Sequence, residues 1–393
     1  MKKNVLFIMA FIIILLSLSA CNKEKDRIIM TNMEEIDFSK VGKKDNFLLF
    51  YPADIRTSQD YTLVKEVSKT GEIIQEYEIR DKAFRRMAIH QKPNNINELY
   101  ISFFGEAVIQ NWYYTYDIAD RKFKKVDLDY FKYDVGVDHI MHYGPDVLFQ
   151  NLVSHKTGDQ NYDNNTGNFN MSISNFTTKK SYETEYGYAP NWSPILKLDE
   201  TIIYSGSGQV NEDGIPENAF VALINSNNEK IEYTNLDKQA TSFYPIYATE
   251  EKAYIVGAEG KLFVLDKNLN YETYEPFKHL SKKDFYYRDN ITGILLLDKH
   301  TALYNLYDEK DGVTLGLLTF KNTPSFSVLN KDYINKEMDY EMLYQDIQKK
   351  EIYLMETDYD GNAHLLVLDN QNLNLKYKIP VKQDHLLDFV LKI

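Results

Sequence analysis

"KLFVLDKNLN" (residues 261–270) and "HLLVLDNQNL" (residues 364–373) share one grammar: an apolar run, an aspartate, then a polar turn. A second strand follows in both, so each reads as a β-hairpin. The same pattern recurs at Trp112–Val126, Phe169–Tyr186 and Ala219–Tyr233. It recurs again at Tyr61–Arg80, where Lys69-Thr70-Gly71 forms the turn. Another short apolar strand precedes each hairpin, beginning near Phe47, Leu99, Val147, Ile202, Ala253, Ile294 and Ile352, roughly 50 residues apart. A repeat of that length built from short antiparallel strands predicts an all-β fold, a β-propeller of seven blades with four strands each.

The innermost strands are expected at Met87–His90, His139–His142, Ile195–Leu198, Tyr244–Ala248, Phe285–Asp289 and Tyr340–Gln345. The first blade lacks one. His385–Val390 has no blade of its own, so it is predicted to supply that strand, close the ring and cover the open edges. Two alternatives are that Asp37–Val41 takes this place, or that Lys336–Lys349 is a helix, since Met338, Met342 and Gln345 also suit a helical face. Composition favours sheet: 44% hydrophobic residues, with 31 Tyr and 21 Phe in 393 residues.

The start of the chain addresses it outward. Lys2 and Lys3 precede the uncharged apolar stretch Val5–Leu16, which is short for a membrane span. It ends in Leu18-Ser19-Ala20-Cys21. This segment resembles the lipobox of bacterial lipoproteins over residues 1–21. The resemblance implies a signal peptide over 1–20, cleavage before Cys21, and lipidation of that cysteine, the only one in the chain. The expected organisation is thus 1–20 signal peptide, 21–30 lipidated Cys and short tether, and 31–393 a single propeller domain. The resemblance also implies a cell-membrane location on the extracytoplasmic face. Usage rich in Lys, Ile, Asn and Tyr points to a low-GC Gram-positive bacterium.

The formal charge of −13 becomes −15 once Lys2 and Lys3 are removed. Nucleic acid is not expected as a partner, because phosphates select basic surfaces. Anionic lipid repels such a chain as well, so membrane attachment rests on the lipid. With no cysteine after Cys21, the exported body has no internal disulfide and depends on its core.

Candidate binding residues follow from the expected inner strands. His90, His139, His142 and His385 fall on or beside those of neighbouring blades. They either line a wet channel or hold a divalent metal, with Asp138 or Asp388 orienting an imidazole. Tyr188 and Trp192 lie in the loop entering the fourth blade, at the funnel mouth. Trp112, Tyr114 and Tyr116 share one strand face, suited to stacking or to packing between blades.

In the polar excursion Ser154–Asn168, Asp159, Asn161, Asp163 and Asn165 alternate as calcium ligands do. Asn164 and Asn170 stand where the loop's glycine and bidentate glutamate belong, so a solvated loop is expected there and at Asp358–Asn362. No phosphate loop, nucleophile elbow or His-Glu-x-x-His pair occurs. The expected function is a non-catalytic module binding a surface protein, peptide or glycan, with no cofactor. The alternative is a metal-dependent polysaccharide lyase or hydrolase using the funnel histidines.

Overall fold

The Asp-turn of residues 261–270 is the unit from which the fold is assembled. In the computed structural model Asp266 Oδ1 accepts hydrogen bonds from the Asn268 and Asn270 amides at 2.8 and 3.0 Å, and Leu269 takes φ of 63°. Asp369 caps its turn through the Gln371 and Asn372 amides, with Leu373 at φ 57°. Asp117, Asn175 and Asn225 do the same, followed by Arg121, Lys179 and Glu229 in the left-handed region. A short side-chain oxygen that satisfies two turn amides offsets the cost of one left-handed residue. The hairpin is thereby closed at a fixed point in each repeat.

The structure describes residues 27–31, 37, 42, 45–52, 60–80, 87–92, 95–103, 112–129, 135–143, 146–153, 170–183, 194–207, 219–257, 259–280, 294–308, 312–335, 337–358, 360–381 and 389–393. In chain order the strands are β1 (Ile28–Met30), β2 (Phe47–Tyr51), β3 (Thr62–Val67) and β4 (Ile73–Ile79); then β5 (Met87–Lys92), β6 (Asn95–Phe103), β7 (Trp112–Asp117) and β8 (Lys122–Asp127). Next come β9 (Val135–Tyr143), β10 (Asp146–Val153), β11 (Asn170–Asn175), β12 (Lys180–Glu183), β13 (Leu196–Leu198), β14 (Thr201–Ser207), β15 (Ala219–Asn225) and β16 (Ile231–Thr234). They continue with β17 (Phe243–Ala248), β18 (Lys252–Gly257), β19 (Leu262–Asp266), β20 (Tyr271–Tyr274), β21 (Ile294–Asp298), β22 (Thr301–Asp308), β23 (Gly312–Thr319) and β24 (Ser325–Val328). The last are β25 (Asp339–Asp346), β26 (Glu351–Thr357), β27 (Ala363–Asp369), β28 (Leu375–Val381) and β29 (Phe389–Lys392).

These strands form seven sheets, denoted I to VII. Sheet I has the order β1-β4-β3-β2-β29, and sheets II to VII are four-stranded antiparallel meanders, β5–β8 through β25–β28. The fold is all-β and propeller-like. β29 pairs antiparallel with β2, Leu49 opposite Val390 and Phe47 opposite Lys392. The chain's last strand thus takes the edge place in sheet I. Asp37 forms an isolated bridge to Lys122, and 38–41 lie outside the described residues. β29 holds the place beside β2 proposed for Asp37–Val41, and residues 339–346 are strand and not helix.

Two sequence expectations differ from the structure. In sheet VI the edge strand is β21 (Ile294–Asp298), whereas the segment expected there, 285–289, lies outside the described residues. Ile294–Asp298 is joined to β22 by the short turn at Lys299-His300, so an apolar run read as a second strand is the first. Residues 28–30, assigned to the tether, form β1, which adds to β4 in parallel with Ile28 opposite Tyr77.

The core lies between sheets. Strands such as β26 are buried on both faces, so their apolar residues run continuously. One cluster joins sheets VII, I and II through Tyr353, Phe47 and Leu99; another joins III, IV and V through Leu148, Ile203 and Phe263. Tyr304 and Phe326 pack sheet VI on sheet V, and Tyr340 and Leu354 pack sheet VII on sheet VI. β5 and β6 approach β9.

Candidate functional site

Antiparallel meandering sorts the connections of every sheet. First-to-second and third-to-fourth turns emerge at one end, the turn end; second-to-third connections and the crossing to the next sheet emerge at the other, the loop end. The capped turns described above are all at the turn end. At the loop end, the connection spans 52–61 between β2 and β3 of sheet I, and the second-to-third connection spans 104–111 in sheet II, 154–169 in sheet III and 208–218 in sheet IV. The corresponding connections in sheets V, VI and VII span only 258–261, 309–311 and 358–362.

The sequence candidates distribute as follows. His90 lies on β5, and His139 and His142 lie on β9, the edge strand of the next sheet; these two strands approach one another. His139 stands at a bulge, because Phe149 pairs with Ile140 and Gln150 with Asp138. Bulges recur on β17, β21 and β25, and there the extra residues are Ile246, Leu297 and Leu343. A bulge places one extra residue on an edge strand, and in sheet III the residue at that place is a histidine. His385, Tyr188, Trp192 and Cys21 lie outside the described residues, as does the polar loop 154–168 with its alternating Asp and Asn.

The aromatic run of β7 is packing. Tyr114 and Tyr116 are buried, with ring centroids 6.3 and 4.8 Å from Phe123. Trp112 stacks edge-on against Tyr114 at 5.0 Å and holds the Lys125 ammonium over its ring. Asp358 caps its own turn through the Asn362 amide at 2.7 Å, and the Asn362 side chain keeps its carboxyl below the usual aspartate range.

A polar cluster that the sequence did not single out lies at the loop end of the VI–VII interface. Glu356 is fully buried on β26, with Tyr340 and His364 as its register partners on β25 and β27. Tyr340 donates to Glu356 Oε1 at 3.1 Å, while Lys378 Nζ and His364 Nδ1 stand 2.6 and 3.2 Å from Oε2. Burial raises the Tyr340 phenol well above its ordinary range, so it acts as a donor. One carboxylate thus gathers a phenol, an imidazole and an ammonium. Its signal in the sequence is a Glu on the face otherwise made of Ile352 and Leu354.

At the turn end Lys392 Nζ lies 2.6 Å from Glu351 Oε2, and Tyr353 donates to the same oxygen at 2.5 Å. The Lys392 amide donates to Tyr344 Oη at 2.9 Å. Lys349 beside them is 3.6 Å from Asp346, and burial lowers its pKa. Among the described residues no group of three or more His, Cys, Asp or Glu side chains is placed to hold a metal ion.

No protein-family model matches the chain, and no curated protein matches it. Among solved structures it is similar to the β-propeller domain of the Trilobed protease from Pyrococcus furiosus, at 11% identity and TM-score 0.44, covering 84% of this chain and 99% of that one. It is also similar to the Cps50 (Swd1) β-propeller domain of Myceliophteria thermophila, at 8% identity and TM-score 0.45, covering 77% and 87%. BamB from Moraxella catarrhalis matches at 11% identity and TM-score 0.37, covering 86% and 91%. These likenesses concern sheet architecture and say nothing of what this chain binds.

Proposed function

We propose that the seven sheets are blades of one ring sealed by β29, and that the ring is a non-catalytic binding module held by lipid on Cys21 outside a bacterial cell membrane. Its ligand is a surface protein, peptide or glycan, taken at the loop ends of sheets I to IV. The observation that carries the reading is the inequality of the second-to-third connections, eight to sixteen residues in sheets II to IV and ten (52–61) between β2 and β3 of sheet I, against three to five in sheets V to VII. Lengthening a surface loop costs little folding free energy and adds little to it, so the long connections are not required by the core. In sequence Tyr188 and Trp192 fall between β12 and β13, in the crossing from sheet III to sheet IV.

Two measurements test the proposal. The mass of the mature N-terminal peptide must correspond to a chain beginning at a diacylated Cys21; a free, unlipidated N-terminus removes the anchor. Separately, the soluble body from Arg27 onward is immobilised and its retention of peptidoglycan fragments, a neutral glycan and a basic peptide is measured. Replacing 154–169 by a two-residue turn must abolish retention of the bound probe, while the same probe must still bind after the 358–362 turn is rebuilt. Retention unchanged by the first replacement contradicts the site.

A second reading, a metal-dependent lyase or hydrolase, draws on His139 standing at a bulge next to the strand that carries His90. It requires a saturable rise in thermal midpoint with manganese, zinc or calcium that His139→Ala abolishes. No shift with any of the three ions removes it.

A further inference from the structure

We propose that the outer edge of sheet I is the side of the molecule that rests on the membrane, with Ile28 and Ile29 in the interfacial layer of the lipid. This deepens the anchored reading above and rests on it.

β1 is unlike every other described strand. Among the described strands it alone makes a fifth in its sheet and alone pairs in parallel, and it sits outermost in sheet I. Its two leading residues, Ile28 and Ile29, are 41% and 54% exposed, and Ile73 on the neighbouring strand is 38% exposed. They are among the few large apolar side chains that the described residues leave in solvent. β1 is nevertheless firmly held. Ile28, Ile29 and Met30 are in register with Tyr77, Glu78 and Ile79, and the Arg80 amide donates to the Met30 carbonyl at 2.9 Å. Arg27 donates to Glu76 and to Tyr61 Oη, both at 3.1 Å.

Chain length then fixes where this strand can be. Between Cys21 and Ile28 the chain spans at most roughly 25 Å when fully extended. A body of this size is roughly 50 Å across. A lipid on Cys21 therefore keeps the β1 edge within half a body width of the headgroups and holds the far sheets away. An edge strand with exposed isoleucines is an aggregation hazard in free solution. In the interfacial layer the isoleucines leave water while the free backbone edge remains hydrated, and the lipid supplies the second signal that weak insertion needs.

The test attaches the chain from Cys21 onward to maleimide-bearing lipid in phosphatidylcholine–phosphatidylglycerol vesicles, using the single thiol. The attachment is chemical, so the result does not depend on whether a cell lipidates Cys21, which the N-terminal mass decides separately. Isoleucine methyl spectra are recorded with and without a headgroup nitroxide lipid, and Ile28, Ile29, Ile73 and Ile347 are assigned by Ile→Val variants. Ile347 is also exposed, at 40%, but lies in the β25–β26 turn of sheet VII. The proposal expects the Ile28 and Ile29 signals to broaden severalfold more than that of Ile347, and Ile29→Glu to remove the difference. Equal broadening of Ile347, or sharp Ile28 and Ile29 signals, overturns it. Signals that shift with protein concentration in the absence of vesicles and ignore the nitroxide make the edge a strand-pairing surface and also overturn it.

Discussion

Lys392→Met is the most informative single substitution for stability, because Lys392 ties β29 to sheet VII. Its side chain is 4% exposed and its ammonium lies 2.6 Å from the Glu351 carboxylate, whose side chain is 7% exposed, with Asp45 at 3.9 Å. Methionine matches the lysine stem in volume but leaves the Glu351 carboxylate buried, with Tyr353 as its remaining close donor and Lys376 at 3.7 Å. Breaking a buried pair from one side costs about 3–5 kcal/mol. For a chain of this length that lowers the thermal midpoint by about 4–6 °C. Adding Glu351→Gln removes the stranded charge while keeping an acceptor for Tyr353. The double variant must therefore recover about half of the loss, giving a coupling of about 2 kcal/mol or more in the cycle. Calorimetry and urea titration of the wild type, two single variants and double variant provide the four corners. A loss below about 0.5 kcal/mol for Lys392→Met, or strict additivity, refutes the argument that this pair holds the strand, since exposed pairs behave that way.

Three further outcomes follow from local geometry. Gly316→Ala places a Cβ 2.2 Å from Phe326 Cζ and 2.5 Å from the Ser327 carbonyl oxygen, so sheet VI should lose about 1–3 kcal/mol by urea titration, and Gly257→Ala, whose nearest contact is a 3.2 Å side-chain atom, should lose less. Asp266→Ala removes the acceptor for two turn amides and should cost about 1 kcal/mol, most of it restored by Asn at that position. Burial raises the phenols of Tyr304, Tyr344 and Tyr353 above their unfolded value near 10. A raised folded pKa gives stability that is complete below pH 10 and lost as pH rises beyond it. Ultraviolet titration should therefore show exposed tyrosines ionising near pH 10 and these only together with unfolding; smooth titration of all 31 near pH 10 contradicts the burial.

The fold was legible where one residue decides local geometry. Asp266 and Asp369 mark the ends of β19 and β27 because an aspartate after an apolar run caps a turn, and this local rule reveals the repeat. The strand that completes sheet I was legible because 385–390 had no neighbours of its own, although the paired residues prove to be Phe389–Lys392. Order within a repeat was less legible. Ile294–Asp298 looks the same as a first or a second strand, since a short apolar run carries no mark of its place in the sheet. The Glu356 cluster was legible only as a lone Glu on an otherwise apolar strand face, and its partners were not. Tyr340 and His364 meet Glu356 through the register of three strands, and register depends on the Leu343 bulge and on the 358–362 turn, not on spacing along the chain. The tether was read too long because three residues of isoleucine and methionine, Ile28–Met30, are too short to announce a strand without β4 beside them.

Closure of the ring by β29 is tested most directly by a disulfide across β2 and β29, in the body from Arg27 onward, which lacks Cys21. Leu49 and Val390 are register partners and both are buried. Opposed residues of an antiparallel pair have Cα atoms about 4.5–5.5 Å apart, within disulfide range. The account predicts that Leu49→Cys with Val390→Cys oxidises to completion and, by closing a loop of nearly the whole body, stabilises it by up to about 5 kcal/mol. Leu48→Cys with Val390→Cys places the thiols on opposite faces and should stay reduced. Failure of the first pair to form, or equal oxidation of the second, would contradict a ring sealed by the last strand.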